Sequence, residues 1–180
     1  MIRRALYPGT FDPVHYGHLD LIRRAASIFD EVVVGVYDHR WPSKNVLFSV
    51  DERRKMIEDA LDVMNGEGHQ ITTVPFSGLT VDLARELGIP VIVRGLRVFS
   101  DFEFEFRFAL ANRRMAPSLE TVNLITREEH TFLSSTTVRE ISSLGGDVSS
   151  MVPPNVALAL RERFAELDEK AHGHSPSLRD

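Results

Sequence analysis

The stretch YPGTFDPVHYGHLD, residues 7–20, holds the first residues whose types and spacing could do chemistry. A predicted helix begins near HYGH. The first turn of a helix offers unpaired backbone N–H groups at the positive end of the helix dipole, and this arrangement suits a phosphate. Gly17 permits a close backbone approach, and His18 can donate an imidazole N–H to a phosphate oxygen. Together with Thr10, these residues predict an anion-binding turn.

The structural alternative for His18 is a capping or solvent-exposed histidine, and it would be favoured for a histidine that stood alone. The combination with Thr10, Gly17 and a helix start favours phosphate binding instead. For His15 a structural role is predicted. The spacing of His15 and His18 could suit a pair of metal ligands, but no nearby third ligand supports such a site, and no protein metal ligand is predicted.

Two common nucleotide-binding patterns are absent from the sequence. The first turn does not read GxGxxG, and GxxxxGK[ST] occurs nowhere in the chain. The sequence therefore supports neither a P-loop nor the glycine fingerprint of a dinucleotide-binding fold, and hydride transfer on a Rossmann-like sheet is disfavoured.

The elements that must position these residues alternate along the chain between strand and helix. Strands are predicted at Ile2–Tyr7, Glu31–Tyr37, Ile71–Phe76, Pro90–Val93 and Thr121–Ile125. Helices are predicted at Gly17–Phe29, after a capping box at Ser49 and Glu52, at Val81–Leu87 before Gly88, from Ser135, and from Pro153-Pro154 to about Leu167.

This alternation predicts an α/β fold: a Rossmann-like, doubly wound parallel sheet of five strands in a single domain, residues 1–167. The polar segment 168–180 lacks periodicity and is predicted to be a disordered tail. In such a sheet, ligands bind outside the carboxyl ends of the strands. The turn after the first strand and the residues after Val93 and Ile125 should therefore surround one crevice.

The segment DFEFEFRFAL, residues 101–110, alternates like a strand but is predicted to be a helix, with Ser100 and Glu103 as its capping signal. As a helix it carries aromatic residues on two faces, which are Phe99, Phe102 and Phe106 on one and Phe104 and Phe108 on the other. A helix that is apolar on two faces needs two partners. We expect its own sheet to cover one face and a second subunit to cover the other.

The amino-acid composition limits the compartment and the partners that the protein can be expected to have. The 180 residues include no cysteine, which suits a reducing compartment, and the net charge of -5 argues against a general nucleic-acid binder. No apolar run suits a signal peptide or a membrane span. The expected location is the cytoplasm, with neither nucleic acid nor membrane as a partner.

Several motifs resemble one enzyme family. GTFDPVHYGH resembles the T/HxGH signature of the nucleotidyltransferase superfamily, and LSSTTVRE resembles its ISSxxxR-type partner. Within that superfamily, YPGTFDP, the lysine of SKNVLF, RGLR followed by DFE, and the NR of ANRR resemble the bacterial phosphopantetheine adenylyltransferases. The resemblance runs from about Arg3 to Leu160. It implies transfer of AMP from ATP to 4′-phosphopantetheine, which gives dephospho-coenzyme A and pyrophosphate, by a hexamer built as a dimer of trimers.

The chemistry of that reaction fits a chain without an obvious nucleophile–base pair. A phosphomonoester is already largely dianionic near neutral pH and can attack the α-phosphorus in line. Catalysis then depends on holding two anions together and stabilising the developing charge. Mg²⁺ is expected as the cofactor, because nothing else in the chain neutralises the triphosphate.

The resemblance also implies individual roles. His18, Lys44 and Arg94 are the implied catalytic residues, His18 by stabilising the transition state and the two cations by holding the phosphate of phosphopantetheine. Thr10 is implied to contact that substrate, and Thr80 is implied to contact it through its backbone only. The implied ATP contacts are Thr10, Phe11, His18, Gly95, Leu96, Arg97, Glu105, His130, Thr131, Phe132, Leu133, Ser134, Ser135 and Thr136.

Each role has an alternative. A lysine or arginine is most often a solvated surface charge. Arg94 departs from this because it directly follows a buried strand, whereas Lys44 stands out only through the resemblance. Ser134, Ser135 and Thr136 could simply cap a helix.

Two other functions stay open. A nicotinate-mononucleotide adenylyltransferase would share LSSTTVR, although RGLR with DFE argues against it. A catalytically silent nucleotide sensor would be expected to lack His18, Lys44 or Arg94, and all three are present.

Overall fold

A computed structural model describes residues 2–38, 46–62 and 70–172 of the chain. Within these residues one parallel sheet contains β1 (Arg4–Gly9), β2 (Glu31–Tyr37), β3 (Gln70–Phe76), β4 (Val91–Leu96) and β5 (Glu120–Ile125). The strand order is β3-β2-β1-β4-β5, so the chain winds outward from β1 to one edge and then returns to build the other half. The predicted doubly wound parallel sheet is confirmed.

The described helices are α1 (Tyr16–Ala26), α2 (Val50–Asp62), α3 (Thr80–Glu86), α4 (Phe99–Met115), α5 (Ser135–Ser143) and α6 (Pro154–His172), with a short 3₁₀ turn at Glu128–His130. None of them is both long enough and apolar enough to cross a membrane.

Local signals placed several helix ends correctly. The capping box before α2 is formed, since the Ser49 N–H donates to Glu52 Oε2 at 2.7 Å and the Glu52 N–H donates to Ser49 Oγ at 3.3 Å. After α3, Gly88 adopts φ of +63°, the left-handed conformation that glycine tolerates best.

The end of α6 differs from the prediction. The helix was expected to end near Leu167 but continues to His172, so the tail boundary at 168 was placed too early. Glu169, Lys170 and Ala171 favour helix without needing an apolar face, which explains the difference. Residues 173–180 lie outside the described part of the chain.

Helices cover both faces of the sheet because successive strand residues point to opposite sides. Ala5 of β1 packs in the larger core with Ile22 of α1 and Ile57 of α2. Its neighbour Leu6 points the other way and packs with Val81 of α3. The apolar run of β2 is buried on both faces, which is typical of a central parallel strand.

Helix α4 contradicts one expectation about its faces. Its buried side chains are polar, Glu105 and Asn112, whereas Phe99 is 91% exposed and Phe104 is 62% exposed. The stripe that faces inward consists of Asp101, Glu105, Phe108 and Asn112, at helical spacing. The prediction that an aromatic face packs on the sheet was therefore wrong. Cations at the end of β4 draw the carboxylates inward instead.

The sheet opens between its two halves. β1 pairs with β2 over six residues, and β4 pairs with β5 over six, but β1 and β4 pair only at Ala5–Val91 and Leu6–Ile92. Beyond these pairs the two strands separate towards their carboxyl ends. The crevice that this leaves lies where the winding direction changes, which is the usual ligand position in such sheets.

Candidate active site

A cavity of about 370 Å³ lies at this opening. It brings together nine residues predicted from the sequence, namely Phe11, His18, Arg94, Gly95, Arg97, Glu105, His130, Ser134 and Ser135. Gly17, predicted to allow a close approach to an anion, also lines it. The crevice predicted at the carboxyl ends of the strands is therefore present.

Other predicted residues lie elsewhere. Thr10, Leu96, Thr131, Phe132, Leu133 and Thr136 are outside the cavity lining, and Thr80 begins α3 beyond β3. Lys44 lies outside the described residues.

The lining also contains residues that the sequence analysis missed, which are Tyr7, Pro8, Gly9, Leu21, Ser100, Asp101, Phe104 and Thr126. His15, for which a structural role was predicted, lines it too. Two signals could have found some of them. Asp101 lies one helical turn before Glu105, and Thr126 directly follows β5 at the carboxyl edge of the sheet.

His15 and His18 form a reciprocal capping box at the start of α1. The His18 N–H donates to His15 Nδ1 at 3.3 Å, and the His15 N–H donates to His18 Nδ1 at 3.3 Å. The two rings stack with centroids 3.6 Å apart. The capping interpretation of His18 is confirmed, and the residue also lines the cavity, while its predicted phosphate binding stays a prediction.

Both imidazoles are neutral near pH 7. Burial lowers the pKa of His15 to about 3, with smaller contributions from Arg97 and His130. Burial also lowers the pKa of His18 well below its usual value, assisted by His15, Arg97 and Arg94. Since Nδ1 of His18 accepts a hydrogen bond, its single proton is assigned to Nε2, which leaves that atom as a donor.

Phe11 lines the cavity next to His18. Its φ of +52° is unusual for a bulky residue, which occupies this region only where the surroundings hold it. The Phe11 ring packs edge-on against His18, with centroids 5.0 Å apart. A side chain at Gly9 would meet the same ring at 2.7 Å, so glycine is needed there.

Arg94 spans the gap between the strands. Its Nη1 donates to the Pro8 carbonyl at 3.1 Å, and its Nε and Nη2 donate to both oxygens of Glu105 at 2.8 and 2.6 Å. Its guanidinium also lies 5.0 Å from the ring centroid of Phe108. Arg94 and Glu105 thus form a bidentate pair that joins β4 to α4 inside the cavity wall.

Arg97 makes a second connection on the same side. Its Nε donates to Asp101 Oδ2 at 3.1 Å, and its Nη1 donates to the Leu133 carbonyl at 2.9 Å. Arg97 lowers the pKa of Asp101, although burial acts in the opposite direction. The start of α4 is thereby linked to the segment that leads into α5.

The N-terminus of α5 also borders the cavity. Ser134 Oγ accepts from the Thr137 N–H at 3.0 Å, which confirms that Ser134 is the N-cap. Ser135 Oγ donates to the Pro13 carbonyl at 2.8 Å and so holds α5 against the turn after β1. The positive ends of α1 and α5 therefore converge on one space, an arrangement that suits a polyanion.

A buried polar network holds the turn that follows β1. Arg53 is 1% exposed, and its guanidinium donates to the carbonyls of Thr10 at 2.6 Å and Tyr37 at 2.9 Å. Asp12 accepts from the Phe48 N–H at 3.0 Å and pairs with Arg139 of α5 at 3.3 Å. The carboxyl ends of β1 and β2 are thereby fixed relative to each other.

Among the described residues, no group of three or more histidine, aspartate or glutamate side chains is placed to hold a metal ion. The two carboxylates in the cavity lining are those of Asp101 and Glu105, and both are paired with arginines. A divalent ion at this site would therefore depend on ligands from a bound polyphosphate.

Comparison with known proteins gives a consistent picture. Residues 6–141 match the family model described as cytidylyltransferase-like. The chain is 46% identical over 165 residues to a phosphopantetheine adenylyltransferase from Methylacidiphilum infernorum, covering 92% of this chain and 93% of that protein. It is 49% identical over 160 residues to one from Synechococcus sp. strain JA-3-3Ab, covering 89% and 97%.

Among solved structures, the chain resembles a bifunctional NMN adenylyltransferase/ADP-ribose pyrophosphatase from Francisella tularensis, with a TM-score of 0.72 and 18% identity. The match covers 96% of this chain but only 54% of that one. At this identity the likeness concerns the fold alone.

Proposed function

Since this chain belongs to the cytidylyltransferase-like family, as one of its phosphopantetheine adenylyltransferases, we propose that it transfers AMP from ATP to 4′-phosphopantetheine, which yields dephospho-coenzyme A and pyrophosphate. The observation that supports this most strongly is the convergence of two helix N-termini, those of α1 and α5, on the cavity between β1 and β4. Both substrates are anions, and this space favours negative charge.

His18 stabilises the transition state in this proposal. Its Nε2–H faces a site where charge develops on the α-phosphate, and the capping box holds the ring in place before substrate arrives. A donor that is already oriented needs no reorganisation during the reaction, so it favours the transition state.

The nucleophile comes from the substrate. A phosphate oxygen of 4′-phosphopantetheine forms a bond to the α-phosphorus of ATP while the bond from that phosphorus to the pyrophosphate oxygen breaks. No proton needs to be removed from a dianionic phosphate, so the protein supplies position and charge rather than a base.

Arg94 and Lys44 hold the acceptor phosphate, with Thr10 and Thr80 as further acceptor contacts. Two of the five guanidinium N–H groups of Arg94 remain for a ligand after its bonds to Glu105 and Pro8. The ATP side uses Thr10, Phe11, His18, Gly95, Leu96, Arg97, Glu105 and the segment from His130 to Thr136. In this assignment Glu105 acts mainly by holding Arg94.

Mg²⁺ accompanies the nucleotide. A magnesium ion commonly keeps several waters and binds through substrate phosphates, which suits a cavity whose carboxylates are paired with arginines. It would neutralise charge on the triphosphate. We also propose that the protein acts in the cytoplasm as a homohexamer.

Pyrophosphate release with purified protein and ATP tests the activity. We expect release with 4′-phosphopantetheine and Mg²⁺, little with nicotinate or nicotinamide mononucleotide, and none in excess chelator. Faster reaction with the mononucleotides would overturn the choice of acceptor, and full activity in chelator would overturn the role of Mg²⁺.

Arg94→Ala tests the acceptor site. It should raise KM for 4′-phosphopantetheine more than KM for ATP, because the cation contacts the acceptor phosphate. Arg107→Ala is a suitable control, since Arg107 lies on α4 with its side chain 76% exposed and pairs with Glu103 of the same helix. Equal increases in both KM values for Arg94→Ala would refute the assignment.

A further inference from the structure

Arg53, in the first turn of α2, carries one of the largest fully buried side chains among the described residues. The four hydrogen bonds described for it all end on main-chain carbonyls. Its Nε donates to Phe48 at 2.9 Å and to Ser49 at 3.3 Å, and its Nη1 donates to Thr10 at 2.6 Å and to Tyr37 at 2.9 Å. One guanidinium thus joins the turn after β1, the end of β2 and the start of α2.

The charge of this side chain is costly to bury. Burial lowers the pKa of Arg53, while the charges of Asp12, Asp38 and Glu52 act in the opposite direction, and the guanidinium stays charged at neutral pH. A buried charge is unfavourable unless it is well hydrogen-bonded, and an apolar side chain of similar size often stabilises a core at least as well. The guanidinium is therefore better explained by what it holds in place than by packing.

The two carbonyls that Nη1 holds lie next to each other at the carboxyl edge of the sheet. The last residue pair between β1 and β2 is Gly9 with Val36, so Thr10 and Tyr37 would be the next pair in the same register. Backbone pairing of these two strands ends there, and Arg53 bridges the two residues instead. It thereby extends the connection between β1 and β2 by one residue pair, into the turn that borders the cavity.

The bond to Thr10 also fixes the peptide that joins Thr10 to Phe11. This peptide is trans, so its carbonyl and its N–H point in opposite directions, and the carbonyl points at Arg53. Turning the peptide over would release Phe11 from its unfavourable φ of +52°, but it would take the carbonyl away from Arg53 and reverse the Phe11 N–H. Arg53 therefore opposes the local preference of the chain at this peptide.

This peptide belongs to the cavity wall. Phe11 lines the cavity, and its ring packs edge-on against His18. A reversed peptide would change both the polar groups that the turn presents and the position of the ring beside His18.

We propose that Arg53 is a positioning residue for nucleotide binding, which holds the Thr10 carbonyl and so keeps the turn after β1 in the orientation that fits the phosphates of ATP. Arg53 itself does not line the cavity. This inference rests on the proposed function only in taking ATP as the ligand, and it is independent of the acceptor.

The substitution Arg53→Met tests the proposal against a control at the other end of the same strands. Arg4 also joins β1 to β2, because it pairs with Glu31 at 2.7 Å, and it donates to the Leu87 carbonyl at 2.6 Å. It lies at the amino end of β1 and outside the cavity lining. Arg4→Met should therefore lower the Tm as a structural substitution does, without affecting the turn.

Calorimetric titration of ATP into each full-length variant, at an equal interval below its own Tm, separates positioning from stability. Arg53→Met should raise the Kd for ATP by about 10-fold or more, since small displacements of a binding group have large effects. Arg4→Met should leave this Kd unchanged. If Arg53→Met does not fold, Arg53→Lys keeps the buried cation without the planar fork, and it should also bind ATP several-fold more weakly than the wild type.

A spectroscopic measurement tests the same point without a ligand. The Phe11 ring lies with its centroid 5.0 Å from that of His18, so its ring current affects the imidazole protons. The His18 Hε1 signal, assigned by its absence in His18→Asn, should shift in the Arg53 variant and stay in place in Arg4→Met.

Two results would overturn the proposal. One is a folded Arg53 variant with the ATP affinity and the His18 signal of the wild type. The other is an equal loss of ATP affinity in Arg4→Met, which would trace the effect to general destabilisation. If the variants behave as expected but the wild type does not adenylylate 4′-phosphopantetheine, the proposed function is refuted and this inference stands.

Discussion

His18 combines a structural role in the fold with the catalytic role that we propose for it. Its Nδ1 accepts from the His15 N–H and completes the cap of α1, Nε2 is assigned the proton, and the residue lines the cavity. The stacking with His15 and the edge contact with Phe11 restrict the ring further. The ring is therefore oriented by local structure before any ligand binds.

The substitution His18→Asn would separate helix capping from the proposed catalytic role. Its side-chain oxygen can replace Nδ1 as a capping acceptor, but it has no donor at the position of Nε2. We expect His18→Asn to keep a Tm near that of the wild type and to lower kcat by about 10²-fold or more, as for loss of an oriented transition-state donor. Pyrophosphate release and thermal unfolding measure the two effects.

His18→Ala provides the comparison, because it removes both functions. It should show a similar loss of kcat, only a modest loss of ATP binding and, in addition, a lower Tm. Turnover close to the wild-type rate in either variant would exclude the catalytic role of His18.

The depressed histidine pKa values predict how stability depends on pH. The pKa of His15 is about 3 in the folded protein and about 6.5 in an unfolded chain, so the unfolded state binds more protons between these values. The stabilisation that the folded protein keeps while His15 is neutral is complete above pH 6.5 and is lost as the pH falls towards 3. At pH 5 one such histidine lowers the free energy of unfolding by about 2 kcal/mol.

His15→Asn should flatten this dependence. Asparagine is a favourable N-cap residue but does not titrate, so the helix start is kept while the protonation effect is removed. Urea unfolding at pH 7 and pH 5 should show a smaller difference for the variant than for the wild type. Equal differences would show that His15 does not titrate as assigned.

Among the elements, β4 and α4 are joined by ion pairs on the cavity wall. Arg94 and Glu105 form one link, and Arg97 and Asp101 form the other. Because β4 and β1 separate beyond two residue pairs, the Arg94 bond to the Pro8 carbonyl also connects the two halves of the sheet. These links join the two sides of the crevice.

Breaking the first link at one end should destabilise the protein. Glu105→Gln leaves the mostly buried Arg94 without its counter-charge, and we expect the free energy of unfolding to fall by about 1–3 kcal/mol. Glu103→Gln, on the exposed side of the same helix, should leave it nearly unchanged. Denaturant unfolding that shows equal effects for both variants would contradict the structural importance of the buried pair.

For the whole molecule, the outer surface of α4 is the most unusual feature. Phe102 and Phe106 stack with centroids 5.9 Å apart, and each is half exposed. Contiguous exposed aromatic residues commonly mark an interaction surface. The proposed hexamer would cover this surface with neighbouring copies of the chain.

Charged substitutions on this surface should therefore change the assembly. Phe102→Glu combined with Phe106→Glu is expected to lower the mass measured by light scattering at micromolar concentration. Leu144→Glu is the control, because Leu144 is also highly exposed but lies after α5, and its mass should remain that of the wild type. A wild-type protein that is a stable monomer at this concentration would refute the hexamer.

Much of the fold was determined by short-range features of the sequence. The apolar run EVVVGVY, the capping box at Ser49 and the glycine at position 88 act over a few residues, so they define elements without knowledge of their neighbours. Alternation of strand and helix then leaves few topologies for a parallel sheet. Because the carboxyl ends of parallel strands lie at one edge of the sheet, the sequence also placed the HYGH turn and Arg94 at the same edge.

Only the tertiary structure decided which groups meet across that edge. The sequence shows that Arg94 follows a strand, but its pairing with Glu105 depends on the angle at which α4 crosses the sheet. That pairing draws the polar stripe of α4 inward and leaves its phenylalanines outside, the reverse of the arrangement that hydropathy predicts. The burial of the Thr126 hydroxyl, which has no hydrogen-bond partner among the described residues, likewise follows from the fold and not from the local sequence. Hydrophobic periodicity encodes which residues share a face, whereas the partner of each face depends on long-range geometry and on where buried charges find their counter-charges.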